Sequence, residues 1–200
     1  MKFEKTGIEG VWRISVQYHT DERGSFGRSF CRDEFRQHGL ATEFLQMNIS
    51  RTQKMGTIRG MHLQRPPHAE AKLIRCVRGA IHDVVCDLRP NSLTLMHHEI
   101  FRLDQDSASQ IYIPPGCAHG FQTLTNDVDV VYAMSANYAA ASATGLRFDD
   151  PALGIPWPMA PTSISEKDLA WPPYRIDNFT ELSSTASPEL SRSFDIIGGV

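Results

Sequence analysis

Residues 73–88 read LIRCVRGAIHDVVCDL, two apolar runs that are separated by the turn sequence Arg78-Gly79. The runs, 73–77 and 81–88, are short and rich in Ile, Val and Leu, with polar residues between them. Partial alternation of apolar and polar residues is typical of a β-strand with one buried face, and glycine is a frequent turn residue. This stretch therefore predicts two strands on either side of a tight turn.

The pattern of short strands and turns continues along the chain. Further strand-type runs are 10–16, 111–113 and 128–132, and turn residues such as Pro114-Pro115-Gly116 lie between the runs. Many short strands at this spacing predict an all-β sandwich or a closed barrel, which removes exposed strand edges. One short helix is expected over residues 32–40, ended by Gly39. The Pro-rich segment after Asp150 is expected to be irregular and to pack over the barrel.

Length and composition fit a single globular domain. A chain of 200 residues with 41% hydrophobic residues is long enough to bury a core. We predict that the domain covers residues 1–178. Residues 179–200 are expected to form a weakly ordered tail, because Ser, Thr and Pro become frequent there and periodicity disappears. The alternative is that this tail covers a partner subunit.

Charge and hydropathy argue against several classes of protein. The formal net charge is −3 and no run of basic residues is present, which disfavours binding to nucleic acids or membrane surfaces. No stretch approaches the roughly 18 consecutive apolar residues of a membrane span. The N-terminal residues carry charges of both signs with no apolar segment behind them, so no signal peptide is predicted and a cytoplasmic location is expected. The four cysteines are widely spaced, which disfavours a zinc site built from them.

Two segments carry histidines in a recognisable setting. The first is Gly60-Met61-His62-Leu63-Gln64, followed by Lys72 and Gly79, and the second is Pro114-Pro115-Gly116-Cys117-Ala118-His119. They resemble the paired motifs of the cupin superfamily, whose metal-binding members use three histidines and a glutamate. The resemblance implies a cupin-type jelly-roll β-barrel with a few short peripheral helices. At the four ligand positions this chain has His62, Gln64, Lys72 and His119.

Lys72 at the position of the acidic ligand argues against a bound metal. At about 4 Å and an effective dielectric near 20, an ammonium group and a divalent cation repel each other by roughly 8 kcal/mol. Two histidines and an amide are poor compensation for that repulsion. Buried Lys72 and Arg59 need negative partners, and we expect an anionic ligand to supply the charge. The alternative is that His62 and His119 are barrel-interior residues satisfied by their neighbours.

Seven motifs follow one another between residues 8 and 173. They are, in order, Asp21-Glu22-Arg23-Gly24-x-Phe26, Gln46-x-Asn48-x-Ser50-Arg51, Arg59-Gly60-Met61-His62-x-Gln64, Pro66-Pro67-x-Ala69-x-x-Lys72-Leu73, Ile113-Pro114-x-Gly116-x-Ala118-His119-Gly120-Phe121, Asp149-Asp150-Pro151-x-Leu153-x-Ile155-x-Trp157-Pro158 and Ser165-Glu166-Lys167-Asp168. This set resembles the dTDP-4-dehydrorhamnose 3,5-epimerase family. Several independent motifs in the same order argue against a chance similarity.

The resemblance implies a site for proton transfer. His62 matches the family's general base, which takes the proton from the carbon next to the 4-keto group, and Asp168 matches its dyad partner. Tyr132 matches the acid that returns a proton on the opposite face, and Lys72 matches the cation beside the keto oxygen. The matched substrate-binding residues are Arg23, Phe26, Gln46, Asn48, Arg59, His119, Tyr138 and Lys167. Among them, Tyr138 matches the ring that stacks on the nucleobase.

The chemistry of these residue types agrees with those roles. Epimerisation next to a ketone removes a weakly acidic C–H proton and stores the charge as an enolate. Histidine suits the base because its pKa lies near the working pH, and an ammonium group aimed at the oxyanion stabilises it. No cofactor is required. The alternatives are that Tyr132 only packs at the end of an apolar run and that Asp168 only belongs to a turn or helix start.

Five residues depart from the family pattern. The family usually has Glu at Arg28, an acidic residue at Ala143, Tyr at Leu63 and Gln-Gly at Glu70-Ala71. The proton-transfer residues are kept while several nucleotide-facing residues differ, so the sequence predicts the reaction class and leaves the nucleobase open.

The sequence thus predicts a metal-free epimerase of a nucleotide-diphosphate 4-keto-6-deoxyhexose. Two alternatives stay open. One is a single-site epimerase or keto-isomerase acting on a different sugar nucleotide, and the other is a non-catalytic barrel that binds sugar nucleotides. The resemblance also implies a homodimer in which strands cross between subunits, and the strand-type run at 10–16 is compatible with it.

Overall fold

The computed structural model describes residues 1–184, which consist mainly of strands. The strands are β1 (Lys2–Lys5), β2 (Trp12–Ser15), β3 (Tyr18–Asp21), β4 (Gly24–Gly27), β5 (Gln46–Thr52), β6 (Ile58–Gln64), β7 (Lys72–Arg78), β8 (Ala80–Asp87), β9 (His98–Asp104), β10 (Ser109–Ile113), β11 (Cys117–Thr123), β12 (Val128–Met134) and β13 (Ala143–Gly145). The helical segments are α1 (Arg32–Gln37), α2 (Glu166–Leu169) and the 3-10 helix Ile176–Ser184. The five strand-type runs of the sequence coincide with β2, β7, β8, β10 and β12, so these predictions are confirmed.

Two antiparallel sheets form the body of the molecule. One has six strands in the order β1-β2-β10-β7-β12-β5, and the other has five in the order β13-β6-β11-β8-β9. β3 and β4 form a separate two-stranded hairpin. The arrangement confirms the predicted all-β barrel with a few short helices.

The core between the sheets follows from the two-residue period of the strands. Ile74 on β7 and Val130 on β12 come from one sheet, and Val85 on β8 and Phe121 on β11 come from the other. The alternate residues of β8, such as Val84, belong to a second cluster on the outer face of the five-stranded sheet. Because β8 is buried on both faces, its sequence is more apolar than simple alternation would produce.

Short peripheral elements cover the outer faces of both sheets. Phe35 of α1 is buried in a cluster with Leu73 and Tyr112 of the six-stranded sheet. α1 is shorter than the range expected from the sequence and ends at Gln37, while Gly39 adopts a left-handed conformation with φ of 71°. The helix is therefore confirmed, with an earlier end.

The chain after Asp150 is largely irregular, as predicted, and packs on the five-stranded sheet through residues such as Leu153 and Trp157. The 3-10 helix crosses the expected domain end at residue 178, and its Phe179 and Leu182 are buried in the same cluster. Residues 185–200 of the expected tail lie outside the described residues. Within residues 1–184, no helix has the length and apolar character needed to cross a bilayer.

Candidate active site

A cavity of about 800 Å³ is lined by strands of both sheets. The polar side chains that line it lie on the same strand faces as the apolar side chains of the core. Lys72 lies two residues before Ile74 on β7, and Tyr132 lies two residues after Val130 on β12. Since side chains two residues apart on a strand share a face, both polar side chains point into the barrel interior.

Ten of the twelve predicted site residues line this cavity. They are His62, Asp168, Tyr132, Lys72, Gln46, Asn48, Arg59, His119, Tyr138 and Lys167. The other two, Arg23 and Phe26, lie on the exposed β3–β4 hairpin and do not contribute to the cavity lining of the described chain. The Arg23 guanidinium instead pairs with the Asp21 carboxylate, 2.5 Å away.

His62 and Asp168 form a hydrogen-bonded dyad across 106 residues of sequence. The imidazole Nε2 and the carboxylate Oδ1 are 2.5 Å apart. A carboxylate only accepts hydrogen bonds, so Nε2 carries the proton and Nδ1 carries the lone pair. The His62 side chain is 45% exposed and lines the cavity, whereas Asp168 is buried behind it. This arrangement presents a basic nitrogen to a ligand.

Helix α2 and the backbone of β6 hold the Asp168 carboxylate in place. The Ser165 hydroxyl caps α2 by accepting a hydrogen bond from the Asp168 N–H at 3.1 Å, and the Gly60 N–H donates to Asp168 Oδ2 at 3.3 Å. Burial alone would raise the pKa of Asp168, but the hydrogen bonds from His62 and Gly60 hold it below its usual value. Asp168 is therefore ionised, and it belongs both to a helix start and to the dyad.

Gly60 allows β6 to approach β11 closely beside the dyad. Its φ is 113°, and a side-chain Cβ there would lie 2.5 Å from the Gly120 Cα. Only glycine fits such a close approach with this backbone conformation. The contact explains why glycine precedes Met61-His62 in this motif.

His119 lies directly opposite His62 in the β11–β6 pair. Its Nε2 is 2.7 Å from Oδ1 of Asp83, a fully buried residue of β8. The partner Asp83 was not recognised in the sequence. Its position two residues from Ile81 and Val85, both core residues, is the signal that could have placed it in the interior.

Lys72 has a protein carboxylate as its partner, which corrects one expectation. Its Nζ lies 2.9 Å from Glu70 Oε1 and also donates to the His62 carbonyl oxygen at 2.9 Å. Both Lys72 and Glu70 are buried. An anionic ligand was expected to supply the compensating charge, whereas in the described chain Glu70 supplies it. The pairing depends on the path of the chain into β7, which the hydrogen bonds between Ala71 and Ser135 hold in place.

Tyr132 packs against the core and keeps its hydroxyl in the cavity. The hydroxyl is 3.1 Å from Ser50 Oγ on the neighbouring strand β5. Burial raises the pKa of the Tyr132 phenol, although the hydrogen bond with Ser50 opposes this shift. The phenol is therefore protonated at neutral pH. Ser50, whose role was not predicted, shares the strand face of Gln46 and Asn48 and could have been assigned from that alternation.

The remaining lining residues surround this centre. Gln46 Oε1 accepts a hydrogen bond from the Tyr138 backbone N–H at 2.6 Å, and the Tyr138 ring is exposed. The Lys167 ammonium lies over the Trp171 ring at 5.6 Å from its centroid, and that ring is 6.3 Å from His62. Trp171 was not recognised in the sequence, and no spacing signal distinguishes it there.

Of the two positions at which the family is acidic and this chain is not, one lies in the cavity and the other does not. Ala143 lines the cavity, whereas Arg28 pairs with Glu34 at 3.1 Å, outside the lining of the described chain. Arg59 donates to Thr52 Oγ1 at 3.1 Å. Among residues 1–184, no group of three or more His, Cys, Asp or Glu side chains is arranged to hold a metal ion.

Comparison with known proteins extends these observations. A sequence profile of the dTDP-4-dehydrorhamnose 3,5-epimerase family matches residues 5–175. The dTDP-4-dehydrorhamnose 3,5-epimerase of Sinorhizobium fredii is 39% identical over 173 residues, which cover 86% of this chain and 89% of that protein.

Solved structures agree with the profile. A dTDP-4-dehydrorhamnose 3,5-epimerase from Bacillus anthracis with TDP and PPi bound is 35% identical and superposes with a TM-score of 0.83, covering 86% of this chain and 99% of the other. A 3'-monoepimerase from Streptomyces bikiniensis in complex with dTDP-quinovose is also 35% identical, with a TM-score of 0.78 and coverage of 84% and 85%. The cupin-type fold is thereby confirmed. The chain belongs to the dTDP-4-dehydrorhamnose 3,5-epimerase family, and hence to the carbohydrate epimerases among the isomerases.

Proposed function

We propose that this enzyme epimerises a nucleotide-diphosphate 4-keto-6-deoxyhexose at the carbons next to its keto group, in the manner of a dTDP-4-dehydrorhamnose 3,5-epimerase. The observation that carries the proposal is the His62–Asp168 dyad, which shares one cavity with Lys72 and Tyr132. A base, a cation and a neutral phenol are the three groups that proton exchange through an enolate needs.

The first step is removal of a proton from the carbon next to the ketone. The lone pair on His62 Nδ1 accepts this proton, and the ionised Asp168 carboxylate stabilises the resulting imidazolium. The electron pair of the broken C–H bond moves onto the keto oxygen. The Lys72 ammonium, which has donors beyond those given to Glu70 and the His62 carbonyl, stabilises that oxyanion.

The second step returns a proton to the carbon from the other side. Tyr132 supplies it, because burial keeps its phenol protonated at working pH. The electron pair of the enolate forms the new C–H bond, and the tyrosinate and imidazolium then exchange protons with solvent. Neither step calls for a metal or an organic cofactor.

Support for the nucleotide end of the substrate comes from the relatives. The Bacillus anthracis structure contains TDP and the Streptomyces bikiniensis structure contains dTDP-quinovose. Tyr138, with its exposed ring at the cavity rim, fits a stacking partner for a base. We therefore propose that the substrate is a thymidine nucleotide. Thermal-shift measurements with thymidine, uridine, guanosine and cytidine nucleotides at equal concentration test this, because the ligand that binds most tightly raises the unfolding temperature most.

One alternative is epimerisation at a single carbon. The observation that favours it is the sequence identity to the 3'-monoepimerase, which at 35% equals the identity to the Bacillus anthracis 3,5-epimerase, although the TM-score is lower, 0.78 against 0.83. The two outcomes require the same base, cation and acid, so these residues do not separate them.

Deuterium incorporation separates these reactions. In D2O we expect the enzyme to introduce label at both C3 and C5 of dTDP-4-keto-6-deoxyglucose, detected by NMR. His62→Ala should abolish incorporation at both carbons, whereas Tyr132→Phe should retain exchange and lose inversion. His97→Ala, at an exposed site outside the cavity, is the matched control. Label at one carbon alone would establish the single-site epimerase, and full turnover by His62→Ala would contradict the mechanism.

We also infer a homodimer. The β3–β4 hairpin is exposed, Phe26 on it is 79% exposed, and β5 forms an edge of the six-stranded sheet with Met47 and Ile49 exposed. A second copy would cover these apolar side chains and could bring Arg23 and Phe26 to the cavity of its partner.

A cytoplasmic location is proposed as well, in keeping with four free cysteines.

A further inference from the structure

Glu70 is a buried carboxylate in the cavity lining that the proposed mechanism does not use. Its residue exposure is 4%, and Oε1 forms the ion pair with Lys72. The second oxygen, Oε2, is buried and accepts no hydrogen bond from any described residue. An ionised carboxylate oxygen that is shielded from water without a donor is unfavourable, so a donor from a bound ligand would complete the site.

The position of Glu70 is set by the protein itself. The next residue, Ala71, donates its backbone N–H to Ser135 Oγ at 2.7 Å and accepts a hydrogen bond from the Ser135 N–H at 3.0 Å. On the other side, Gln64 Nε2 donates to the His68 carbonyl oxygen at 2.9 Å. The carboxylate is therefore held between two anchored backbone segments before a ligand arrives, which favours binding.

Lys72 and Glu70 together are complementary to an α-hydroxy ketone. The Lys72 ammonium is a donor, and Glu70 Oε2 beside it is an acceptor. An α-hydroxy ketone carries the complementary pair, a carbonyl oxygen that accepts and a hydroxyl on the adjacent carbon that donates. If the keto oxygen lies at Lys72, the neighbouring hydroxyl falls beside Glu70.

We propose that Glu70 is a specificity residue whose Oε2 accepts a hydrogen bond from the sugar hydroxyl next to the reacting ketone, the hydroxyl at C3. This inference rests on the proposed substrate class and deepens it. A sugar with a group at C3 that cannot donate leaves Oε2 unpaired in a buried site, and sites built around a substrate hydroxyl discriminate strongly against such analogues.

The variant Glu70→Gln tests the proposal. The amide oxygen stays on Lys72, because an ammonium group only donates. The amide NH2 then replaces Oε2, so an acceptor becomes a donor with almost no change in shape. Glu166→Gln is the matched control, since it removes the same charge from an exposed residue of α2 outside the cavity lining.

Equilibrium binding measured by calorimetry is the readout, with dTDP-quinovose and its 3-deoxy-3-fluoro analogue as ligands. We expect the native enzyme and Glu166→Gln to bind the hydroxyl ligand about 10- to 100-fold more tightly than the fluoro analogue. Glu70→Gln should reduce this ratio to about threefold or less, because its N–H donates to either group.

Two results would overturn the proposal. One is a native enzyme that binds both ligands with similar affinity, and this arm does not depend on whether the variant folds. The other is a folded Glu70→Gln variant that keeps the native ratio. Binding requires no turnover, so the two proposals can fail separately. If the epimerase proposal alone fails, the native protein still discriminates between the two ligands but incorporates no deuterium.

Discussion

At the scale of single residues, the His62–Asp168 pair shows how the surroundings of one carboxylate set the state of a base. Asp168 is buried, and the hydrogen bonds that it accepts hold its pKa below the usual range. The carboxyl group is therefore ionised at neutral pH. As a hydrogen-bond acceptor, it keeps the imidazole proton of His62 on Nε2. The lone pair of the imidazole lies on Nδ1 because of that carboxylate.

Asp168→Asn is expected to lower kcat by roughly 10²- to 10⁴-fold. The amide NH2 would donate to Nε2, so the proton would move to Nδ1 and the lone pair would leave the cavity. Steady-state kinetics with dTDP-4-keto-6-deoxyglucose measures the loss, and Asp168→Glu should recover part of it. Asp149→Asn, at an exposed residue paired with Arg147, should keep native activity. A kcat for Asp168→Asn within about threefold of native would refute the tautomer argument.

At the scale of elements, β8 carries two buried acids with different tasks. Asp83 partners His119 in the barrel interior, while Asp87 at the end of the strand organises the following loop. Asp87 accepts hydrogen bonds from Arg89 Nε at 2.8 Å, Ser92 Oγ at 2.5 Å and Thr94 Oγ1 at 2.7 Å. One carboxylate thus satisfies several donors of an irregular segment.

Asp87→Asn should destabilise the protein by about 2–4 kcal/mol at pH 7. Burial raises the pKa of Asp87, but the hydrogen bonds from Arg89, Ser92 and Thr94 outweigh it and leave the pKa lowered. A lowered pKa in the folded state means that the stabilisation is complete above the unfolded value near 3.9 and is lost as the pH falls below it. The difference in unfolding free energy between native protein and variant should therefore shrink as the pH falls below about 4.

Urea unfolding between pH 3 and pH 7 measures this difference. Asp33→Asn removes an exposed ion pair with Arg36 and should change the free energy of unfolding by less than about 1 kcal/mol at any pH. A difference between native and Asp87→Asn that is independent of pH would show that shape, and not charge, holds the loop.

At the scale of the whole molecule, the described chain leaves apolar side chains on an exposed hairpin and at a sheet edge. Phe26 lies on β4, and Met47 and Ile49 lie on β5, which pairs only with β12 in the described chain. Exposed edges and clustered apolar residues favour association with another chain. The proposed dimer would cover both features with one symmetric contact.

Analytical ultracentrifugation should therefore find a dimer for the native chain. The double variant Phe26→Ser/Met47→Lys, in which Met47 is exposed and lies outside the cavity lining, should shift the equilibrium to monomer. It should also weaken binding of dTDP-quinovose by at least about tenfold, because the partner's hairpin is lost. Leu93→Ser, at a residue that is 99% exposed elsewhere on the surface, is the control and should remain dimeric. A monomeric native protein with full activity would contradict the dimer.

Much of the fold was predictable from sequence, and most of the predicted site residues line the cavity. The apolar run 128–132 placed Tyr132 on a strand, and the resemblance to the family predicted that Lys72, Tyr132 and His62 would share a cavity. Ser50 and Asp83 were missed although their strand periodicity was informative. The partner of Lys72 could not be predicted, since the path of the chain between β6 and β7 depends on contacts with Ser135, far away in sequence.

By itself, the sequence determined five of the strands and the barrel class, because period and turn residues are local properties of the chain, and its motifs predicted the proposed proton-transfer residues. Only the tertiary structure decided that Glu70 neutralises Lys72 while leaving one oxygen free, and that Arg23 and Phe26 stay outside the cavity of their own chain. The physical reason is the same in each case. Burial and pairing of a charged group depend on which distant segments fold against it, and local sequence does not contain that information.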